Sequence, residues 1–216
     1  MKDKYKMTQE QNLFLAKRNI VDSMWKSANL EGIAITFPET QAIYDGMNIA
    51  KFRIDEIQTI NNLKHAWQFV LSSIDQELDF NYLSSIHSLV GSNIVDSPGN
   101  LRTFEVGMGG TSWRPELPTK EKVEQILNCN NNLESSTEKI ITMMLRLMKL
   151  QAFNDGNKRT AMLVANHELI KNGNGILSIA EENKIEFGEK LIQFYEDENN
   201  LEDLKQFIFD KCLSGI

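Results

Sequence analysis

The residues best suited to chemistry lie together at 151–159, which read QAFNDGNKR. Asn154, Asp155, Gly156 and Asn157 are turn formers, and Lys158 and Arg159 follow at once. An apolar helical pattern begins at Ala161, so the turn opens into a helix N-terminus. Unpaired backbone N–H groups and the positive end of the helix dipole make such a terminus an anion site. Gly156 permits a close backbone approach or a positive φ. Lys158 and Arg159 oppose the dipole, so helix stability does not account for them, whereas a bound polyphosphate does. Asp155 suits Mg²⁺, which takes one or two carboxylates plus phosphate oxygens. The P-loop pattern is absent, as is the strand that precedes it. The plainer reading of such a turn is that it joins two helices and caps the second.

The flanking elements must hold this turn rigidly. Before it, Ile140, Ile141, Met144, Leu145 and Met148 recur at helical spacing, with Leu147 and Leu150 widening the apolar face. Ser135, Ser136 and Thr137 with Glu138 supply capping material at the start of that helix. After the turn, Ala161 to Ala165, Leu169 and Ile170 continue an apolar helix. It should end at Lys171-Asn172-Gly173, a basic last turn with a glycine stop. Helices are expected at about 8–30, 39–48, 51–75, 79–91, 119–130, 134–150, 157–172, 181–195 and 200–212. Three of the four prolines fall between residues 98 and 118, which places the main loops mid-chain. Glycines and alternation across 101–118 give the pattern of a short hairpin.

The 216 residues carry a net charge of -7, which disfavours a general nucleic-acid coat. Cys129 and Cys212 are far apart and form neither a metal spacing nor a disulfide framework. With no signal-peptide pattern at residues 1–4 and no apolar run of membrane-spanning length, a cytoplasmic setting without a membrane partner is expected.

The stretch from Gln151 to Met162 resembles the motif of the Fic/Doc family, His-x-Phe-x-Asp/Glu-Gly-Asn-Gly/Lys-Arg with a second arginine three residues on. Phe153, Asp155, Gly156, Asn157 and Arg159 match, and Lys158 matches the Doc-like variant. Residues 101–118, with Val106, Gly107, Met108, Gly109 and Gly110, are similar to the family's target-docking flap, where strand addition aligns a partner segment. Ser27, Glu31 and Gly32 are similar to its N-terminal inhibitory motif, although Ser and Glu at that spacing also describe a solvated helix face. The resemblance spans about residues 20–210.

It implies a mainly α Fic fold, with an N-terminal helical segment over 1–50 and a core over 51–216. It implies protein AMP-transfer or, in Doc-like members, phosphate transfer, with ATP and Mg²⁺. Asp155 would hold the Mg²⁺, while Gly156, Asn157, Lys158 and Arg159 would cradle phosphates and Phe153 would pack beneath. A nucleotide, a protein target and a second copy of the chain are the partners it suggests.

Two positions depart from the pattern: Gln151 stands where the family has its catalytic His, and Met162 where it has the second Arg. A neutral amide has no basic lone pair near neutral pH. Losing a general base costs about 10²–10⁴ in rate. The expectation is therefore an ATP-binding, catalytically impaired relative; an active transferase and a purely structural interaction domain are the alternatives. His65, His87 and His167 are the other imidazoles, each read as a helix-face or partly buried residue. Without an arginine at 162, either Glu31 pairs with Lys158 or Arg159, or the inhibitory element is vestigial.

Overall fold

A computed structural model describes residues 1–128, 133 and 135–216. In chain order the helices are α1 (Gln9–Arg18), α2 (Ile20–Leu30), α3 (Phe37–Tyr44), α4 (Ile54–Ser72), α5 (Phe80–Val90), α6 (Lys120–Asn128), α7 (Ser136–Leu150), α8 (Asn157–Lys171), α9 (Lys184–Glu196) and α10 (Leu201–Lys211). The one sheet among the described residues is β1 (Ile176–Leu177) paired antiparallel with β2 (Leu213–Ser214).

The α7–α8 hairpin is the centre. Ser135 caps α7, its Oγ accepting the Glu138 N–H at 3.2 Å. Ile141, Met144, Leu145 and Met148 are buried along α7, and Leu163, Val164, Ala165, Leu169 and Ile170 along α8. Helix α8 is covered on almost every side because α1, α4, α5 and α7 all pack on it. Helices α6 and α10 cover α7, while α2 and α3 pack on α4. The core runs without a break from Ala16 to Leu213.

Three expectations need correction. The helix over 8–30 is broken at Asn19, whose Nδ2 donates to the Leu15 carbonyl at 2.8 Å. A side chain that bonds the preceding turn competes with the backbone ladder, and the axis changes there. Helix α3 covers Phe37–Tyr44 instead of the expected 39–48; it starts at Phe37 because Thr36 and Glu39 form a capping box and Pro38 fits the first turn, where no N–H is needed. Residues 101–118 form no paired strands. No backbone hydrogen bond joins the two arms of this segment. The expected ends of two helices, at residues 129, 130 and 134, lie outside the described residues, as does Cys129. Cys212 is buried, and burial pushes its thiol up to about 12. No helix among the described residues is long and apolar enough to cross a membrane.

Candidate functional site

The α7–α8 turn carries the site. Helix α7 ends at Gln151, which adopts a left-handed conformation (φ 48°) and turns the chain back. Asn157 then knits the turn together. Its Oδ1 accepts the Phe153 N–H at 2.9 Å, and its Nδ2 donates to the Phe153 carbonyl at 2.8 Å. Gly156 sits at φ 77° as the cap of α8. A Cβ there would meet Val90 Cγ1 at 3.1 Å, so both conformation and space call for glycine.

Beneath the turn, His87 is fully buried and its ring stacks on Phe153 at 3.8 Å. The Gly99 N–H donates to His87 Nδ1 at 2.8 Å. That fixes Nδ1 as an acceptor and leaves Nε2–H to donate to the Asp155 carbonyl, also at 2.8 Å. Burial, with Arg159 nearby, holds the His87 pKa below the ordinary imidazole value; the Asp155 hydrogen bond opposes the shift without reversing it. His87 is thus a neutral peg under the loop. His65 is exposed. His167 is buried away from the loop, between Glu168, the Ser73 carbonyl and the Tyr82 ring.

Above the turn the donors are open. The backbone N–H groups of Asn157, Lys158 and Arg159 have no acceptor among the described residues; the ladder begins with Thr160 N–H to Gly156 O. Asp155 is 68% exposed; its Oδ1 accepts the Gly156 N–H, and its Oδ2 lies 3.3 Å from Arg159 Nη2. Glu31 closes over these cations. Its Oε1 is 3.6 Å from Lys158 Nζ and its Oε2 is 3.5 Å from Arg159 Nε. Both contacts are loose: Glu31 Oε1 and Arg159 Nε are buried without a hydrogen-bond partner. Glu31 is placed there by the end of α2, where Trp25 Nε1 and Asn29 Nδ2 bond the Ile35 carbonyl and Lys184 Nζ caps the Asn29 carbonyl. Ser27 is buried one turn back, its carbonyl accepting the Glu31 N–H, and Gly32 at φ 87° lets the chain leave the helix. Met162 is buried core and takes no part.

Gln151 is buried and has both ends of its side chain engaged. Its Nε2 donates to the Met148 carbonyl at 2.5 Å, and its Oε1 accepts from Asn157 Nδ2 at 3.1 Å. Nε2 also lies 3.5 Å from the Tyr195 hydroxyl, which itself donates to Met148 O. Burial pushes the Tyr195 phenol pKa up, so it stays a neutral donor.

The flap covers the turn. Val106, Gly107, Met108 and Gly109 line a cavity of about 260 Å³ together with Glu31, Gln151 and residues 154–158. Gly110 (φ 82°) bends the tip toward Ile192 of α9, and Thr111 Oγ1 donates to Glu196 at 2.6 Å. A larger cavity, about 540 Å³, lies between Trp113, Ile126 and Leu150 and contains none of the turn residues, so the smaller one is the candidate site.

Sequence reasoning missed Arg102. It is 2% exposed, and its guanidinium bonds four carbonyls, those of Gln151, Phe104, Pro115 and Glu116. Forty-nine residues separate it from Gln151, and no spacing in the sequence points to it. It also missed Trp113, which stacks on Tyr195 at 4.9 Å.

The fold sets the α7–α8 turn at the N-terminus of α8, with Asp155, Lys158, Arg159 and Glu31 around it. Residues 77–169 match the Fic/DOC family model. The solved structures agree on the fold. Residues 134–508 of Fic-1 from C. elegans superpose with a TM-score of 0.75 at 21% identity, over 91% of this chain and 62% of that one. A Fic domain containing signaling protein from Bacteroides thetaiotaomicron gives 0.75 at 14%, over 94% and 86%. A Fic family protein from Desulfovibrio desulfuricans gives 0.67 at 18%, over 93% and 66%. The chain thus spans under two thirds of that nematode chain's length. No curated protein matches it.

Proposed function

We propose that the chain binds a Mg²⁺–nucleoside triphosphate, ATP by family resemblance, at the α7–α8 turn, and that it is a catalytically impaired relative of the protein AMP-transferases. The observation that carries this is the pairing of an open phosphate cradle with an engaged, non-basic residue at its head. Three free amides lie at the same helix N-terminus as Lys158 and Arg159, and Arg159 Nε, 3.5 Å from Glu31 Oε2, is buried without a hydrogen-bond partner. An anion's oxygens would supply that partner.

The residues fit the ligand. Asp155 is exposed beside the cradle and would hold Mg²⁺, with phosphate oxygens completing the shell. When bound, the metal ion would neutralise charge building on the phosphate oxygens. Gly156, Asn157, Lys158 and Arg159 would orient the phosphates, with Phe153 and His87 keeping the turn rigid from below. Glu31 lies on the same two cations and would have to yield to an incoming anion, which makes it the inhibitory element of this reading.

Gln151 is the reason for impairment. Its amide cannot accept a hydroxyl proton, and its Oε1 and Nε2 already have partners. Positioning and electrostatic stabilisation, which dominate phosphoryl-type transfer, remain available, so slow residual transfer is compatible with the site.

The test is incubation with α- and γ-labelled ATP in lysate beside the Gln151→His variant, together with calorimetric titration of Mg-ATP. Binding abolished by Asp155→Ala with Arg159→Ala, and labelling only with Gln151→His, are the expected results. Labelling by the natural chain that Arg159→Ala abolishes would instead make it a working transferase. Binding that survives the double substitution would remove the turn as the site.

A further inference from the structure

Two flap residues converge on residue 151. At the neck, Arg102 Nε donates to the Gln151 carbonyl at 2.6 Å, and the Arg102 N–H donates to the Ala152 carbonyl at 3.0 Å. The same guanidinium reaches Phe104 O on the outgoing arm at 2.8 Å, and Pro115 O and Glu116 O on the returning arm. Farther out, Trp113 stacks on Tyr195, whose hydroxyl lies beside the Gln151 amide.

No backbone hydrogen bond joins the arms, so the guanidinium takes the place of a strand ladder. No carboxylate among the described residues is bonded to it; its charge is met by carbonyl dipoles, and Glu105 acts only from a distance. A planar fork with five N–H donors can tie several carbonyls in fixed directions, which an ammonium cannot. The left-handed turn at Gln151 is what points that residue's carbonyl toward Arg102.

We propose that Arg102 is a positioning residue that latches the flap to residue 151, so that an occupant of the cavity beneath the flap and the setting of position 151 are coupled through one guanidinium. Without it the arms have no common tie at the neck, while the tip stays tethered to α9 through Thr111, Glu196 and the Trp113–Tyr195 stack. The flap would then open from its neck. Only the ligand-dependent part rests on the nucleotide reading.

Amide hydrogen exchange, read by mass spectrometry on the natural chain, Arg102→Met and Arg102→Lys, with and without Mg-ATP, tests this. Exchange of the residue 102 amide, which donates to the Ala152 carbonyl at the flap neck, should rise about tenfold in Arg102→Met while α1 and α10 stay unchanged. Arg102→Lys, which keeps charge but loses the fork, should fall between the two. Mg-ATP should slow flap exchange in the natural chain and do so much less in Arg102→Met. Unchanged exchange at the residue 102 amide, or a rise spread equally over the whole chain, would overturn the latch. If Arg102→Met does not fold, the Arg102→Lys comparison decides by the same criteria. If neither the natural chain nor Glu31→Gly binds Mg-ATP, the nucleotide reading fails, and the ligand-free exchange still decides the latch.

Discussion

Asn157 Nδ2 donates to Gln151 Oε1 at 3.1 Å, across the turn that both residues bracket. This contact holds residue 151 against the start of α8. The Gln151 amide acts as one strut of the turn, with Met148 O on its other side.

Gln151→His restores a group able to accept a proton at this position. Combined with Glu31→Gly, it should raise transfer from α-labelled ATP by at least about 10²-fold over Glu31→Gly alone. Gel autoradiography gives the ratio. Equal labelling in the two proteins would mean that residue 151 is not what limits the chemistry.

Glu31→Gly should tighten Mg-ATP binding. Glu31 lies within 3.6 Å of both cations, so an incoming phosphate must displace it. A gain of about tenfold in Kd, ~1.4 kcal/mol, is expected by calorimetry. Weaker binding would show that Glu31 supports the cradle instead of closing it.

His87 sets a pH dependence. Its folded pKa lies below the ordinary imidazole value of 6.5, chiefly through burial. In the window between the two values the unfolded chain binds more protons, so stability rises with pH. The contribution is fully present above 6.5 and is lost as pH falls toward the folded pKa. Structurally, protonation would set an Nδ1–H against the Gly99 N–H. Thermal unfolding at about pH 7.5 and 5.5 should therefore show a larger drop in Tm for the natural chain than for His87→Gln. Parallel drops would count against a neutral buried imidazole.

Gly156→Ala should destabilise the chain by about 1–3 kcal/mol, because it imposes a positive φ on a Cβ-bearing residue and pushes against Val90. Urea denaturation measures this. A neutral result would mean that the turn can relax at little cost.

Much of this architecture could be read from the chain. The apolar periods of α7 and α8, the Ser135 cap and the turn formers between them are local features, and local features survive into the structure. The flap could not be read the same way. Its glycines and alternation suggest a hairpin, yet its arms are joined by Arg102 and not by a strand ladder. Asn19 likewise breaks an otherwise continuous helical pattern through a single side-chain bond.

By itself the sequence determined the local features of the turn, namely the turn formers at 154–157, the two cations that follow and a neutral amide at 151, because these follow from residue type and neighbouring positions. Only tertiary structure decided which distant groups complete the site. Glu31 arrives from the end of α2, His87 from α5 and Arg102 from the flap neck, the last two 68 and 49 residues from their partners in the turn. Each long-range position depends on helix packing around α8. Pairing a carboxylate, an imidazole and a guanidinium with one turn is a matter of where the helices cross, and no spacing along the chain encodes that directly.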